Sequence, residues 1–248
     1  MTDWLRHGMW ILIVPLTLSV PFAISRLPEP PAADLPEAGS SEETEQHRQL
    51  RSEGPKELYA AIAQSPRIVL WCALSGALLG VLAEAAFPAK PAIAAAWLIP
   101  VFVLLWLVDW RTRLLPRIVV RPLTALLVAL VLIEWAVHHD THALIRELCG
   151  GVAAWLIFGT LWFIRRAGMG LGDVRLALPL GILMAAASWN AWLIGLYLSF
   201  ITFALFGVGL MLIKRDRGVL KRAYPFGPFM ILGAYAGMAL SPHLLLFG

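Results

Sequence analysis

Two aspartates stand where a carboxylate is costly to place: Asp109 in WLVDWRTRLLP ends one long apolar run, and Asp173 in GMGLGDVRL opens another. Two carboxylates a few ångströms apart cannot both ionise easily, so they share a proton and can hold a water between a base and an acid. The ionised member would take a proton from the water as it attacks a peptide carbonyl, and the protonated member would donate to the carbonyl oxygen, without a covalent intermediate. Helix dipoles suggest Asp173, at a helix N-terminus, as the anion and Asp109, at a C-terminus, as the acid; Arg111 and Arg113 oppose that for Asp109. The plainer reading of Asp109 is a boundary carboxylate paired with one of those arginines. Gly168, Gly170 and Gly172 precede Asp173 and read as close helix packing or a turn. With an aspartate directly after them, they also read as backbone opened to a polar cavity at membrane depth. A third signal is YPFGPF, in which Pro225, Phe226, Gly227 and Pro228 make a rigid turn.

The elements that must position these residues are membrane helices. Of the 248 residues 59% are apolar, and the mean hydropathy is +0.74, which excludes an ordinary soluble domain. Eight apolar runs, at 9–24, 68–87, 91–110, 118–137, 149–164, 174–187, 191–213 and 225–246, approach the roughly 20 residues a spanning helix needs. The first is short and follows a weakly basic start, as a signal peptide does. No convincing small-residue cleavage site follows it, so it is expected to remain as a helix. The fold expected is an all-α polytopic membrane protein of about eight transmembrane helices. It divides into a first helix at 1–25, a polar loop at 26–67 and a seven-helix domain at 68–248. The loop holds 5 basic and 8 acidic side chains, is rich in Pro, Glu, Ser and Gln, and is expected to be mostly disordered, with a short amphipathic helix possible near 56–64.

Orientation follows from the basic residues. Arg111, Arg113, Arg117 and Arg121, then Arg165, Arg166 and Arg175, then Lys214, Arg215, Arg217, Lys221 and Arg222 fall in three loops on one side, which the positive-inside rule places in the cytosol with the 26–67 loop. Asp109, Asp173 and Asp216 reach that side; flanking cations and solvent account for Asp216. Asp3, Glu84, Glu134, Asp140 and Glu147 fall toward the outer side, where Glu84 and Glu134 are expected to snorkel to the interface. His138, His139, Asp140 and His142 form an HHDTH cluster whose spacing fits no helical metal motif, so a solvated loop is expected. Cys72 and Cys149 are read as two buried thiols without zinc or disulfide spacing. Trp106, Trp110, Trp155, Trp162, Trp189 and Trp192 read as interfacial belts. No metal, cofactor or nucleic-acid partner is expected, and the net charge of +4 reflects membrane orientation.

At these motifs the chain resembles the type IV prepilin peptidase family, with archaeal preflagellin peptidases as cousins. The matching pieces are Asp109 with Leu115 and Pro116 beyond it, Gly168 to Asp173 followed by Val174, Arg175 and Leu176, and Pro225 to Pro228. The glycine-aspartate motif alone is shared with presenilin-like proteases; the three together are strongly specific, and the clear resemblance covers roughly 99–235. It implies a GxGD-type aspartic protease of the bacterial inner membrane with Asp109 and Asp173 as the catalytic pair. Its substrates would be prepilins or pseudopilins, whose short basic leader, ending in Gly, is cut at the cytosolic face. Gly168, Gly170, Gly172, Pro116, Arg175, Pro225, Phe226, Gly227 and Pro228 would shape the cleft.

The chain departs from the family in places. Bifunctional members carry a cytosolic CxxC pair motif in the first loop and methylate the new N-terminus with S-adenosylmethionine. The 26–67 loop has no cysteine, so zinc binding there is excluded and the resemblance does not extend to the motifs that accompany methylation. The family's acidic residue after Leu-Pro is Arg117 here, and its Lys after Gly-Asp is Arg175. The rival reading is a non-enzymatic transporter or secretion-assembly subunit whose aspartates carry protons or hold helices together. Phosphoryl or lipid-headgroup transfer finds no P-loop or paired-aspartate metal motif in its support.

Overall fold

The computed structural model describes residues 12–28, 59–86, 91–164, 169–216 and 224–244. The expectations of disorder over most of the 26–67 loop and of a role for Gly168 lie outside these residues. In lipid every backbone N–H and C=O must be satisfied within the segment, and the apolar runs accordingly form helices. Helical residues 12–18 lead into α1 (Val20–Ser25), followed by α2 (Tyr59–Ala63), α3 (Ile68–Ala85), α4 (Pro91–Thr112), α5 (Arg117–His138), α6 (Thr141–Ile164), α7 (Leu171–Ala187), α8 (Trp189–Lys214) and α9 (Gly227–Leu240). No strand occurs among the described residues.

The molecule is an all-α polytopic membrane protein. Five helices, α3, α4, α5, α6 and α8, are long and apolar enough to cross a bilayer. The others are shorter: α9 has 14 residues and reaches about 21 Å. The first apolar run is broken at Ser19, because Pro21 has no N–H to offer the Thr17 carbonyl. Thr17 Oγ1 instead donates back to Ile13 O at 2.8 Å, and Ser19 Oγ to Leu16 O at 2.7 Å. In the other direction, α6 begins at Thr141, well before the apolar run at 149. Its first turns carry Arg146 and Glu147, which a hydropathy reading leaves out although helix propensity admits them.

Packing is closest between α6 and α7 and between α8 and α9. Small residues permit it, as expected where lipid removes the hydrophobic drive between helices and van der Waals contact must replace it. A Cβ on Gly237 of α9 would sit 2.5 Å from Gly195 Cα of α8. One on Gly181 of α7 would sit 3.0 Å from Gly151 Cα of α6. Trp192, expected at the interface, is instead 6% exposed and donates from Nε1 to Gly150 O at 2.9 Å, tying α8 to α6. Trp155 and Trp189 are outward-facing, as a belt requires. Cys72 is buried, whereas Cys149 is exposed and so corrects the reading of two buried thiols.

At the end of the bundle away from Asp109, Arg146 Nε donates to Ala185 O at 2.7 Å and Nη2 to Ala186 O at 3.3 Å. One guanidinium thereby satisfies the open carbonyls that end α7. The HHDTH residues are exposed. Asp140 there has a structural task, accepting from Ala143 N at 3.0 Å at the start of α6.

Candidate functional site

Asp109 lies one turn before the end of α4 and is 3% exposed. The helix stops just past it because Arg113 takes a left-handed conformation, φ 53°, with its N–H donating to Asp109 O at 2.8 Å. Thr112 holds the reversal: its Oγ1 donates to Val108 O at 2.7 Å and accepts from Leu114 N at 3.1 Å. Pro116 then sets the entry to α5 at φ −66°. The turn leaves Leu115 and Pro116 buried against the same end of the bundle.

Across this turn stands the N-terminus of α9. Gly227 N donates to Asp109 Oδ2 at 3.0 Å, joining residues 118 apart in sequence. A Cβ on Gly227 would lie 2.7 Å from that same oxygen, so glycine is needed there for the close approach. Pro228 follows within the first turn and has no N–H, which makes Gly227 N the donor aimed at the carboxylate. Phe226 anchors the turn from below. It is 6% exposed, and its ring centroid lies 5.1 Å from that of Phe203, 5.4 Å from Phe200 and 5.8 Å from Phe158. Phe229 extends the cluster to Phe206 at 5.2 Å and Trp110 at 6.3 Å. The sequence reading missed this aromatic seat. Its signal was the row Phe200, Phe203 and Phe206, spaced three apart along one face of α8.

Asp173 stands in the first turn of α7 and is 7% exposed. Its Oδ2 accepts from Gly170 N at 3.1 Å, and its own N–H donates to Gly170 O at 3.1 Å. This is half of a capping box, since Gly170 has no side chain to return the bond. Gly170 itself, at φ −78°, has an ordinary conformation. A Cβ there would meet Asp173 Oδ2 at an easy 3.5 Å. Gly172 is different, because a Cβ there would lie 2.9 Å from Leu115 Cβ.

Leu115 is the shared neighbour of the two acidic segments. It packs on Gly172, next to Asp173, and its Cδ1 lies 3.5 Å from where a Cβ on Gly227 would be. The three motifs separated in sequence are thus assembled at one end of α4, α7 and α9. Both carboxylates also rest at helix N-termini, Asp173 on its own helix and Asp109 on α9. Asp109 thus lies between the C-terminal turn of α4 and the N-terminus of α9, whose dipoles act on it with opposite sign, whereas Asp173 lies at an N-terminus alone. Among the described residues no cluster of His, Cys, Asp and Glu could hold a metal ion. Arg175 is half-buried on α7, which packs on α5, where Arg117 and Arg121 are exposed.

The fold and this assembly define a polytopic α-helical membrane protein with two buried aspartates at one end of its bundle. Residues 92–208 match the model of the type IV leader peptidase family, which bears out the resemblance over the stretch carrying Asp109, Pro116 and Asp173. The Pro225 to Pro228 turn lies beyond the matched residues. Two prepilin leader peptidase/N-methyltransferases of Aeromonas salmonicida, one from strain A449, are each 30% identical over 97 residues, 39% of this chain. The match spans 32% of the length of those relatives. No solved structure matches the chain.

Proposed function

We propose that this protein is an aspartic leader peptidase of the inner membrane, cutting the short basic leader of prepilin or pseudopilin substrates with Asp109 and Asp173. The observation that carries the reading is that Gly172, next to Asp173, and Gly227, which donates to Asp109, both pack on Leu115, with the two aspartates buried at that end of a bundle of apolar helices. In the reaction one carboxylate is ionised and takes a proton from a water held between the pair. The other is protonated and donates to the oxygen of the scissile carbonyl, and the tetrahedral adduct collapses with the proton passed to the leaving amine. Each side chain is held by a backbone N–H, Gly227 to Asp109 and Gly170 to Asp173, so neither must be ordered at the moment of reaction.

The basic loops on the aspartate end support a cytosolic placement of the site. The substrate's hydrophobic stretch would dock among the helices while its leader enters beside Pro116, Arg175 and the turn from Pro225 to Pro228. Methylation is not part of the proposal.

The test is co-expression in membranes with a leader-bearing pilin, reading the pilin's N-terminus by intact mass. Wild type yields mature pilin, Asp109→Ala and Asp173→Ala each leave the precursor whole, and the presence or absence of one extra methyl on the mature pilin settles the methylation question. Uncut precursor with folded wild type across several leaders would move the reading to the transporter or assembly class.

A further inference from the structure

Three cations flank the contact of Leu115 with Gly172 beside the proposed site: Arg117 lies two residues and Arg121 six residues beyond Leu115, and Arg175 three residues beyond Gly172. Arg117 and Arg121 lie about one turn apart at the start of α5, and Arg175 lies in the first turns of α7, which packs on α5. Arg117 and Arg121 both act electrostatically on the Arg175 guanidinium. Among the described residues none of the three makes an ion pair or a side-chain hydrogen bond. The first turn of α5 contains no acidic residue, so Arg117 also faces the positive end of its own helix dipole. Gathered like charges repel, and the arrangement is relieved by an anion from outside the chain.

The surroundings indicate the source of that anion. Beside the arginines on α5, Ile118 is 58% exposed and Leu126 is 48% exposed, so the helix turns an apolar stripe outward directly below its charged end. In a spanning helix that end falls at the depth of the lipid headgroups. Guanidinium forks match phosphate oxygens two at a time.

We infer that Arg117, Arg121 and Arg175 form a binding site for the phosphate of an anionic phospholipid, which bridges α5 to the N-terminal turns of α7. The bound headgroup fastens the helix start that carries Asp173. The site depends on the cations and not on the peptidase reading, and it binds whether or not the protein cleaves a leader.

The test uses the full chain purified in a zwitterionic detergent and offered phosphatidylglycerol or phosphatidylcholine, with bound lipid counted by native mass spectrometry. Wild type retains phosphatidylglycerol in preference to phosphatidylcholine. Arg117→Gln/Arg121→Gln binds phosphatidylglycerol roughly 25-fold more weakly, about fivefold per arginine removed. Arg117→Lys/Arg121→Lys, which keeps the charge, recovers most of that loss, and unchanged melting of both variants in phosphatidylcholine verifies that they are folded. Inorganic phosphate at the same concentration leaves the lipid bound. Equal retention of the two lipids, equal affinity of wild type and the Gln variant, or displacement of the lipid by inorganic phosphate would each overturn the assignment.

Discussion

Gly227→Ala places a methyl carbon 2.7 Å from Asp109 Oδ2 and 3.2 Å from its Cγ. To restore van der Waals contact the carboxylate or the start of α9 must retreat by about half an ångström. The Gly227 N–H to Oδ2 bond at 3.0 Å cannot survive that movement unchanged, because donor and methyl belong to one residue. Overpacking of this kind costs about 1–3 kcal/mol of stability. The catalytic loss is larger than the stability loss implies, because displacing a reacting group by about an ångström lowers rate by roughly 100-fold. Half that displacement gives an expected fall in kcat/KM of roughly 10-fold, with the protein still folded at assay temperature. Gly170→Ala is the matched control: its methyl would meet Asp173 Oδ2 at 3.5 Å, with φ at −78°. Its loss should stay within about threefold, the scale of a surface substitution of ±0.5 kcal/mol. The assay is the initial rate of leader cleavage in proteoliposomes, alongside thermal unfolding of each variant. Full activity in Gly227→Ala, or an equal loss in Gly170→Ala, would mean that the close approach of α9 to Asp109 does not set the rate.

Asp109→Asn keeps an oxygen to accept from Gly227 N, so its melting temperature should match wild type while cleavage is abolished; residual cleavage above about 1% of wild type would remove Asp109 from the chemistry. Trp192→Phe deletes the donor to Gly150 O and should lower stability by about 0.5–1.5 kcal/mol with kcat/KM nearly unchanged in the folded fraction. Trp189→Phe, at an exposed position, should leave the melting temperature where it is. Arg146→Gln loses the charged cap on the carbonyls of Ala185 and Ala186 and should cost about 1.5–3 kcal/mol, read as a lower melting temperature and faster amide exchange at the end of α7.

Hydropathy alone placed seven of the described helices within a few residues at most ends, because a lipid-spanning segment has one backbone solution and its length is set by the bilayer. It failed where polarity and helicity part company. The first turns of α6 are polar yet helical, and the apolar segment before α1 is broken at Ser19 by Pro21. The site's residue types were equally legible, since an aspartate at the end of an apolar run stands out against its neighbours. The need for glycine at 172 and 227 but not at 170 was not legible. Sequence shows that a side chain is missing; only the partner across the gap, Leu115 in one case and Asp109 in the other, gives its absence a use. The bond from Gly227 to Asp109 spans 118 residues and depends on how closely α8 meets α9 and α6 meets α7. Local spacing repeats every turn and records which face of a helix is small or aromatic. Which two faces meet, and which carboxylate then lies under which helix end, is settled by the packing of whole helices.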